Sequence, residues 1–223
     1  HPLSMNESSE SRESLKEALR DLVLGEVRLS KSDRDTILES CREVHIDEEC
    51  SEGEKEVFIR FAADELEKAI RRHSAEQLTW PSETDCDRLD RVEASLRNRG
   101  ILLWQVSPCC DTCTIGEFSE RIDEVERQYP GFRDRIRGYA FFIDQNMAEM
   151  LAEDTEIAVY LGYGWFSPDD TDVAPDIYEK SSLGIAKEVC DCFRENGFEP
   201  DWDGSFSRKI GGTLNWQRRS TLL

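Results

Sequence analysis

Histidine is scarce in this 223-residue chain: there are three, one of them at position 1. His45 and His73 lie in segments of helical periodicity with no Ser or Cys nucleophile motif nearby, so a histidine-based triad is not expected. Long apolar runs are also missing, and no stretch approaches the ~18 residues needed to cross a bilayer. Basic residues are outnumbered, 28 against 48 acidic, and the formal charge of -20 opposes approach to phosphate backbones and anionic lipid heads. Neither nucleic acid nor a membrane is therefore expected as a partner. A P-loop, a Rossmann glycine fingerprint, a Gly-x-Ser-x-Gly elbow and a His-Glu-x-x-His helix are absent, which removes the common nucleotide, hydride-transfer, hydrolase and zinc-protease readings. His1-Pro2-Leu3-Ser4 ahead of Met5 reads as a cloning remnant with no secretion signal after it, so the protein is expected to be cytoplasmic and its eight cysteines reduced.

The 38% hydrophobic and 34% charged content, with 13 Gly and 7 Pro, is that of a folded protein with a sizeable core. Its first half reads as helix. Leu15, Ala18, Leu19, Leu22 and Val23 share one stripe, with Ser14 and Glu17 at capping-box spacing. A second stripe joins Ile37, Leu38, Cys41 and Val44. A third, introduced by Ser51 and Glu54, runs from Val57 and Phe58 to Ile70 and stops before Trp80-Pro81. Thr84 and Asp87 open a further helix through Leu89, Val92 and Leu96 that ends near Gly100.

Beyond Gly100 short apolar runs predict strands at 101–106, 138–143 and 156–162, separated by helices. The second and third runs are apolar on both alternating faces, as expected of strands covered on two sides. A long helix from Ile177 to Gly197 follows, then two strands around 200–202 and 209–216 with an Asp203-Gly204 turn between them. The expected fold is α+β or α/β, a sheet of four to five strands flanked by helices with an N-terminal helical region. Residues 1–10 read as a tag remnant and disordered N-terminus, 11–98 as the helical region and 99–223 as the α/β domain, unless one domain runs on from about residue 35.

The strongest chemical feature is Cys109-Cys110-x-x-Cys113, placed between a strand and a helix with Thr114 and Glu117 at capping-box spacing. A helix N-terminus there favours a thiolate, while Asp111 beside the thiols opposes one. No cofactor is expected and the cluster reads first as small, soft core residues, but it supplies up to three soft ligands, so zinc is possible, with Cys86, His45 or Cys190 as a fourth ligand. A separate site from Cys41, His45 and Cys50 is also conceivable, although its spacing matches no established zinc pattern. Cys41 and Cys190 lie on apolar stripes and read as core, whereas Cys192 is expected to be partly exposed.

For ligand binding, Asp144-Gln145-Asn146 follows an apolar strand, where α/β folds present functional groups, although Asp144 or Asn146 could instead cap the next helix. Tyr160, Tyr163, Trp165 and Phe166 alternate with Gly162 and Gly164, and of these Trp165 and Phe166, past the strand, are the binding candidates. The Asp169, Asp170 and Asp172 run could bind a hard cation weakly but reads first as a solvated acidic loop, and Arg208, Arg218 and Arg219 could hold an anion but read first as solvated or ion-paired cations.

Several segments carry a resemblance: Trp80 with Thr84-Asp85 and Leu89; Gly100-Ile101; Cys109 to Cys113; Gly138-Tyr139 with Phe141-Phe142; Tyr160 to Gly164; Trp202-Asp203-Gly204; and Leu214-Asn215-Trp216-Gln217-Arg218-Arg219. With these the chain resembles a bacterial domain family of unknown function from about Glu76, or from Asp35, onward. Members often carry His-Glu-Gln-Asp after the aromatic strand, where this chain has Ile143-Asp144-Gln145-Asn146. The resemblance implies a single α/β domain with helical N-terminal additions and leaves the activity open. The expected function is a non-enzymatic module that binds a protein or small-molecule ligand through Asp144, Gln145, Asn146, Trp165 and Phe166. The alternative is a thiol-redox or zinc-binding protein centred on Cys109, Cys110 and Cys113.

Overall fold

Helical periodicity in the first hundred residues and mixed periodicity afterwards produce the elements in that order. The computed structural model describes residues 3–108, 110–168, 172–220 and 222. Helices α1 (Leu3–Leu29), α2 (Arg34–Cys41), α3 (Asp47–Glu49), α4 (Glu52–Gln77) and α5 (Asp85–Asn98) come first, with a π-helical turn over Arg42–Ile46. Strand β1 (Ile101–Ser107) leads to the short helices α6 (Asp111–Gly116), α7 (Phe118–Gln128) and α8 (Phe132–Arg135). Strand β2 (Gly138–Ile143) precedes α9 (Met147–Glu153), β3 (Glu156–Trp165) precedes α10 (Pro175–Glu195), and β4 (Ile210–Asn215) follows. The fold is α+β, a four-stranded mixed sheet with flanking helices. Contacts divide the chain into two units, His1–Thr84 with Asn146–Glu156 and Trp216–Leu223, and Asp85–Gln145 with Ile157–Asn215.

In the first unit Leu15, Leu19, Val23 and Val27 of α1 pack with Ile37 and Cys41 of α2 and Phe58, Ala62 and Leu66 of α4, all buried. The cap expected at Ser14 is not a helix start, because no glycine or proline interrupts residues 3–24 and α1 continues toward its N-terminus. Glu54 does cap α4, its carboxylate accepting from the Ser51 N–H at 3.1 Å. The π turn inserts one residue into the expected α2 stripe, so Ile46 enters the core and Val44 is 53% exposed. Helix α9 lies along α1, where Gly25 lets the Ala148 backbone approach, and the buried Arg28 donates to the Leu151 carbonyl at 2.7 Å in its last turn.

His73 of α4 is 1% exposed and bonds the Arg218 carbonyl at 3.1 Å, with its ring edge-on to Trp80. Burial lowers its pKa below the ordinary 6.5, and Arg28 adds to the lowering; the Arg218 carbonyl and Glu76 oppose it without cancelling it. A neutral buried imidazole contributes its full stability above about pH 6.5, and below that the unfolded chain takes up the proton first. The unit should therefore lose stability between about pH 7.5 and about pH 5.5, and His73→Gln should lose less over the same interval. Urea unfolding of both proteins at the two pH values measures this; equal losses would exclude His73 as the cause.

The second unit holds the sheet, in the order β1-β2-β3-β4. Strands β1 and β2 are parallel, with Ile101 opposite Gly138, whereas β2 and β3 are antiparallel, with Gly138 opposite Trp165. Buried Ile101, Leu103, Ala140 and Phe142 alternate with residues on the other face, where Leu102 and Phe141 join Phe118, Val125 and Phe132 from α7 and α8. On that face Gly162 leaves room for the Phe141 ring, and a Cβ at Gly164 would meet the Tyr139 ring. The segment around 200–202 is not a fifth strand, for it makes only the Asp201–Gly211 bridge. Pro200 has no N–H to give a ladder, and the Trp202 indole bonds within its own loop, to the Ser205 and Arg208 carbonyls at 3.3 Å. Cys192, expected to be partly exposed, is fully buried and directs its sulfur to the Val92 carbonyl of α5. Helix α10 packs against both α5 and β2, so positions some 200° apart on it are covered together.

Candidate functional site

The first candidate site forms where the parallel strands β1 and β2 end. A register shift between Trp104 and Ser107 bends β1, and Val106 takes φ +50°, a left-handed conformation that is strained for a β-branched residue. Ser107 is fully buried and bonds the Phe142 carbonyl at 3.2 Å, while its own carbonyl accepts from the Asp144 N–H at 2.9 Å. Thr114, also fully buried, places its hydroxyl 2.9 Å from Ser107 Oγ and 3.2 Å from the Pro108 carbonyl. The capping box expected at Thr114 and Glu117 is thus not formed; α6 starts at Asp111 with Cys110 as its N-cap, because the Thr114 hydroxyl is engaged with the end of β1. Cys110 and Cys113 are both part-exposed, with their sulfurs 3.4 Å apart. Lys209, just ahead of β4, holds the Asp111 carboxylate at 2.7 Å.

Cys109 lies outside the described residues, as do Asp169 and Asp170. Among the described residues no group of three or more His, Cys, Asp or Glu is placed to hold a metal ion. The Cys41, His45 and Cys50 set does not converge: Cys41 is in the helical core, and the His45 ring faces Glu49 at 3.3 Å. Cys86 and Cys190 are buried, and burial pushes the Cys190 thiol up to about 11. Arg208 pairs with Asp201 at 3.1 Å, and Arg219 donates to the Pro81 and Ser82 carbonyls.

Asp144 and Gln145 follow β2, the Asp144 N–H bonding the Ser107 carbonyl, and Asn146 is the N-cap residue of α9 with φ +64°, its side chain making no capping bond. Trp165 and Phe166 are not with them. The antiparallel register sets Trp165 against Gly138, at the opposite end of β2, about 17 Å away along the strand. Both are half-buried, and Phe166 packs on Tyr139 and Phe118 with ring centroids 5.1 and 6.0 Å apart.

A second place was hidden from the sequence. Helices α7 and α8 pack on β1 and β2, and the alternation of β3 turns Ala158 and Tyr160 outward, Tyr160 with 63% of its surface exposed. With Gly211, Gly212, Thr213, Glu199 and Asp201 they line an open groove of about 330 Å³. Gly211 supplies no Cβ, and the Tyr160 ring lies 3.5 Å from where one would be. On the helix-covered side, the apolar crevice among Val159, Leu161, Phe193, Phe198, Ile210 and Leu214 measures about 20 Å³, room for a single water. The expectation that the third strand is covered on both sides is thereby corrected: Ile157, Val159 and Leu161 are buried, whereas Glu156, Ala158 and Tyr160 on the alternate face are exposed.

Residues 12–220 match the model of a domain of unknown function, DUF6891. The chain belongs to this family. No curated protein and no solved structure matches the chain. For this DUF6891 protein the candidate sites therefore rest on their own chemistry, and no helix among the described residues is long and apolar enough to cross a membrane.

Proposed function

We propose that this DUF6891 protein is a non-enzymatic binding module whose open β3–β4 face takes a basic, extended peptide segment of a partner protein. The observation that carries this reading is the solvent-facing Tyr160 above a glycine floor, bordered by Glu199 and Asp201. Small-molecule sites bury most of their ligand in an enclosed concave pocket, and this groove is open to solvent, which favours a peptide over a metabolite. An exposed tyrosine offers a large, stiff contact surface with a polar tip, the type of residue that anchors interfaces. Glu199 on the rim and the overall charge of -20 favour a cationic partner, while Asp201 is paired with Arg208. Asp144, Gln145, Trp165 and Phe166 then belong outside this surface, with Phe166 serving the aromatic packing.

An alternating lysine–leucine peptide is the probe, titrated calorimetrically at physiological salt so that diffuse attraction to the acidic surface is screened. Tyr160→Ala removes the anchor and Thr213→Lys adds a like charge on the same face; each should weaken binding at least about tenfold, or about 1.4 kcal/mol. Unchanged affinity in both variants, with circular dichroism also unchanged, would remove this surface from the account.

A further inference from the structure

We propose that Cys110 and Cys113 form a reversible dithiol–disulfide couple that exchanges with low-molecular-weight disulfides, an activity separate from binding at the open face. Their sulfurs are 3.4 Å apart, and closing a bond of about 2.05 Å requires an approach of only about 1.4 Å. Both side chains are part-exposed, so a small disulfide can reach them. Spacing i to i+3 at the start of α6 puts the two on one side of the turn.

The surroundings support this reading independently. Thr114, next to Cys113 in α6, is held by the buried contact to Ser107, and Val106 at the end of β1 is strained. Strained backbone of this kind recurs at functional sites. Asp111 is the carboxylate next to the thiols that would oppose a developing thiolate, and the Lys209 ammonium offsets its charge at 2.7 Å. Helix α6 has six residues and supplies little macrodipole, so the local charge balance and the proximity of the sulfurs carry the case. Cys50 is part-exposed like the pair, whereas Cys41, Cys86, Cys190 and Cys192 are buried, and burial raises the pKa of Cys41, Cys190 and Cys192, to about 11 for Cys41 and Cys190.

Exchange takes two steps. One cysteine loses its proton and its thiolate attacks a sulfur of R–S–S–R; the S–S bond breaks, a mixed disulfide forms, and the departing R–S⁻ takes up a proton as R–SH. The second cysteine then loses its proton and attacks the protein sulfur of the mixed disulfide, releasing the second R–SH. In sum the two protein thiols give up two hydrogens and two electrons, and R–S–S–R is reduced to two R–SH.

The test uses the full chain equilibrated with excess glutathione disulfide, alkylated, and read by intact mass and peptide mapping. Because Cys109 adjoins the pair, Cys109→Ser is run beside the wild type. Both should lose two hydrogens, mapped to Cys110 and Cys113, and regain them with reduced glutathione. Cys113→Ser should stop at one glutathionyl adduct on Cys110. A wild type that gains no bridge, a mixed disulfide that persists in the wild type, or a bridge that vanishes in Cys109→Ser would each overturn the proposal. None of these outcomes depends on peptide binding, so the failure of either proposal is recognisable by itself.

Discussion

Replacing Gly25 with leucine is expected to cost at least about 3 kcal/mol of stability, and even alanine should destabilise. An exposed helical Gly→Ala ordinarily gains up to about 1 kcal/mol, because alanine loses less backbone freedom. At Gly25 the first carbon of any side chain would fall on the Ala148 carbonyl oxygen, with the Ala148 carbonyl carbon and Cα also within 3 Å. These are backbone atoms that no rotamer change can move aside, so α9 must separate from α1 and disturb the Arg28 bond to Leu151. Gly184 of α10 is the matched control: it is exposed with nothing within 4 Å, and Gly184→Ala should be neutral or stabilising. Urea unfolding of the three variants gives the comparison, and a Gly25→Ala as stable as wild type would mean that α9 does not pack on α1 as described.

Phe118→Ala is the second large effect, expected to cost about 3–5 kcal/mol. Phe118 is 6% exposed and stands among Tyr139, Phe141, Phe166 and Trp104, with ring centroids at 4.4, 5.8, 6.0 and 6.2 Å. Removing it takes away a buried ring with edge-on contacts to Phe141 and Phe166 and tilted contacts to Tyr139 and Trp104, and Gly162 and Gly164 offer no side chains to fill the space. Phe166→Ala, half-buried at the edge of the same cluster, should cost clearly less. If the two variants lost equal stability, the ring at Phe118 would not be the centre of this core.

How far the sequence could be read follows from which interactions are local. The bounds of β2 and the start of α4 were legible because Gly138–Ile143 is a bounded apolar run and Ser51 with Glu54 satisfies its own helix end. The π turn was not, since one inserted residue changes no composition yet moves Val44 out and Ile46 in. Cys192 was misjudged because a helical stripe predicts one covered side, whereas α10 is covered by both the sheet and α5. The Cys-x-x-Cys pair could be read from spacing, but the ion pair that balances it joins Asp111 to Lys209 across 98 residues. Tyr160 was hidden for a related reason: alternation tells which strand residues share a face, while the elements packed on the sheet decide whether that face is covered.

Amide chemical-shift mapping of the ¹⁵N-labelled chain during titration with the lysine–leucine peptide tests the central claim most directly. The account predicts saturable shifts concentrated at Ala158, Tyr160, Glu199, Asp201 and Gly211–Thr213, and their loss in Tyr160→Ala. Shifts scattered over the acidic surface, unsaturated and undiminished in Tyr160→Ala, would contradict it.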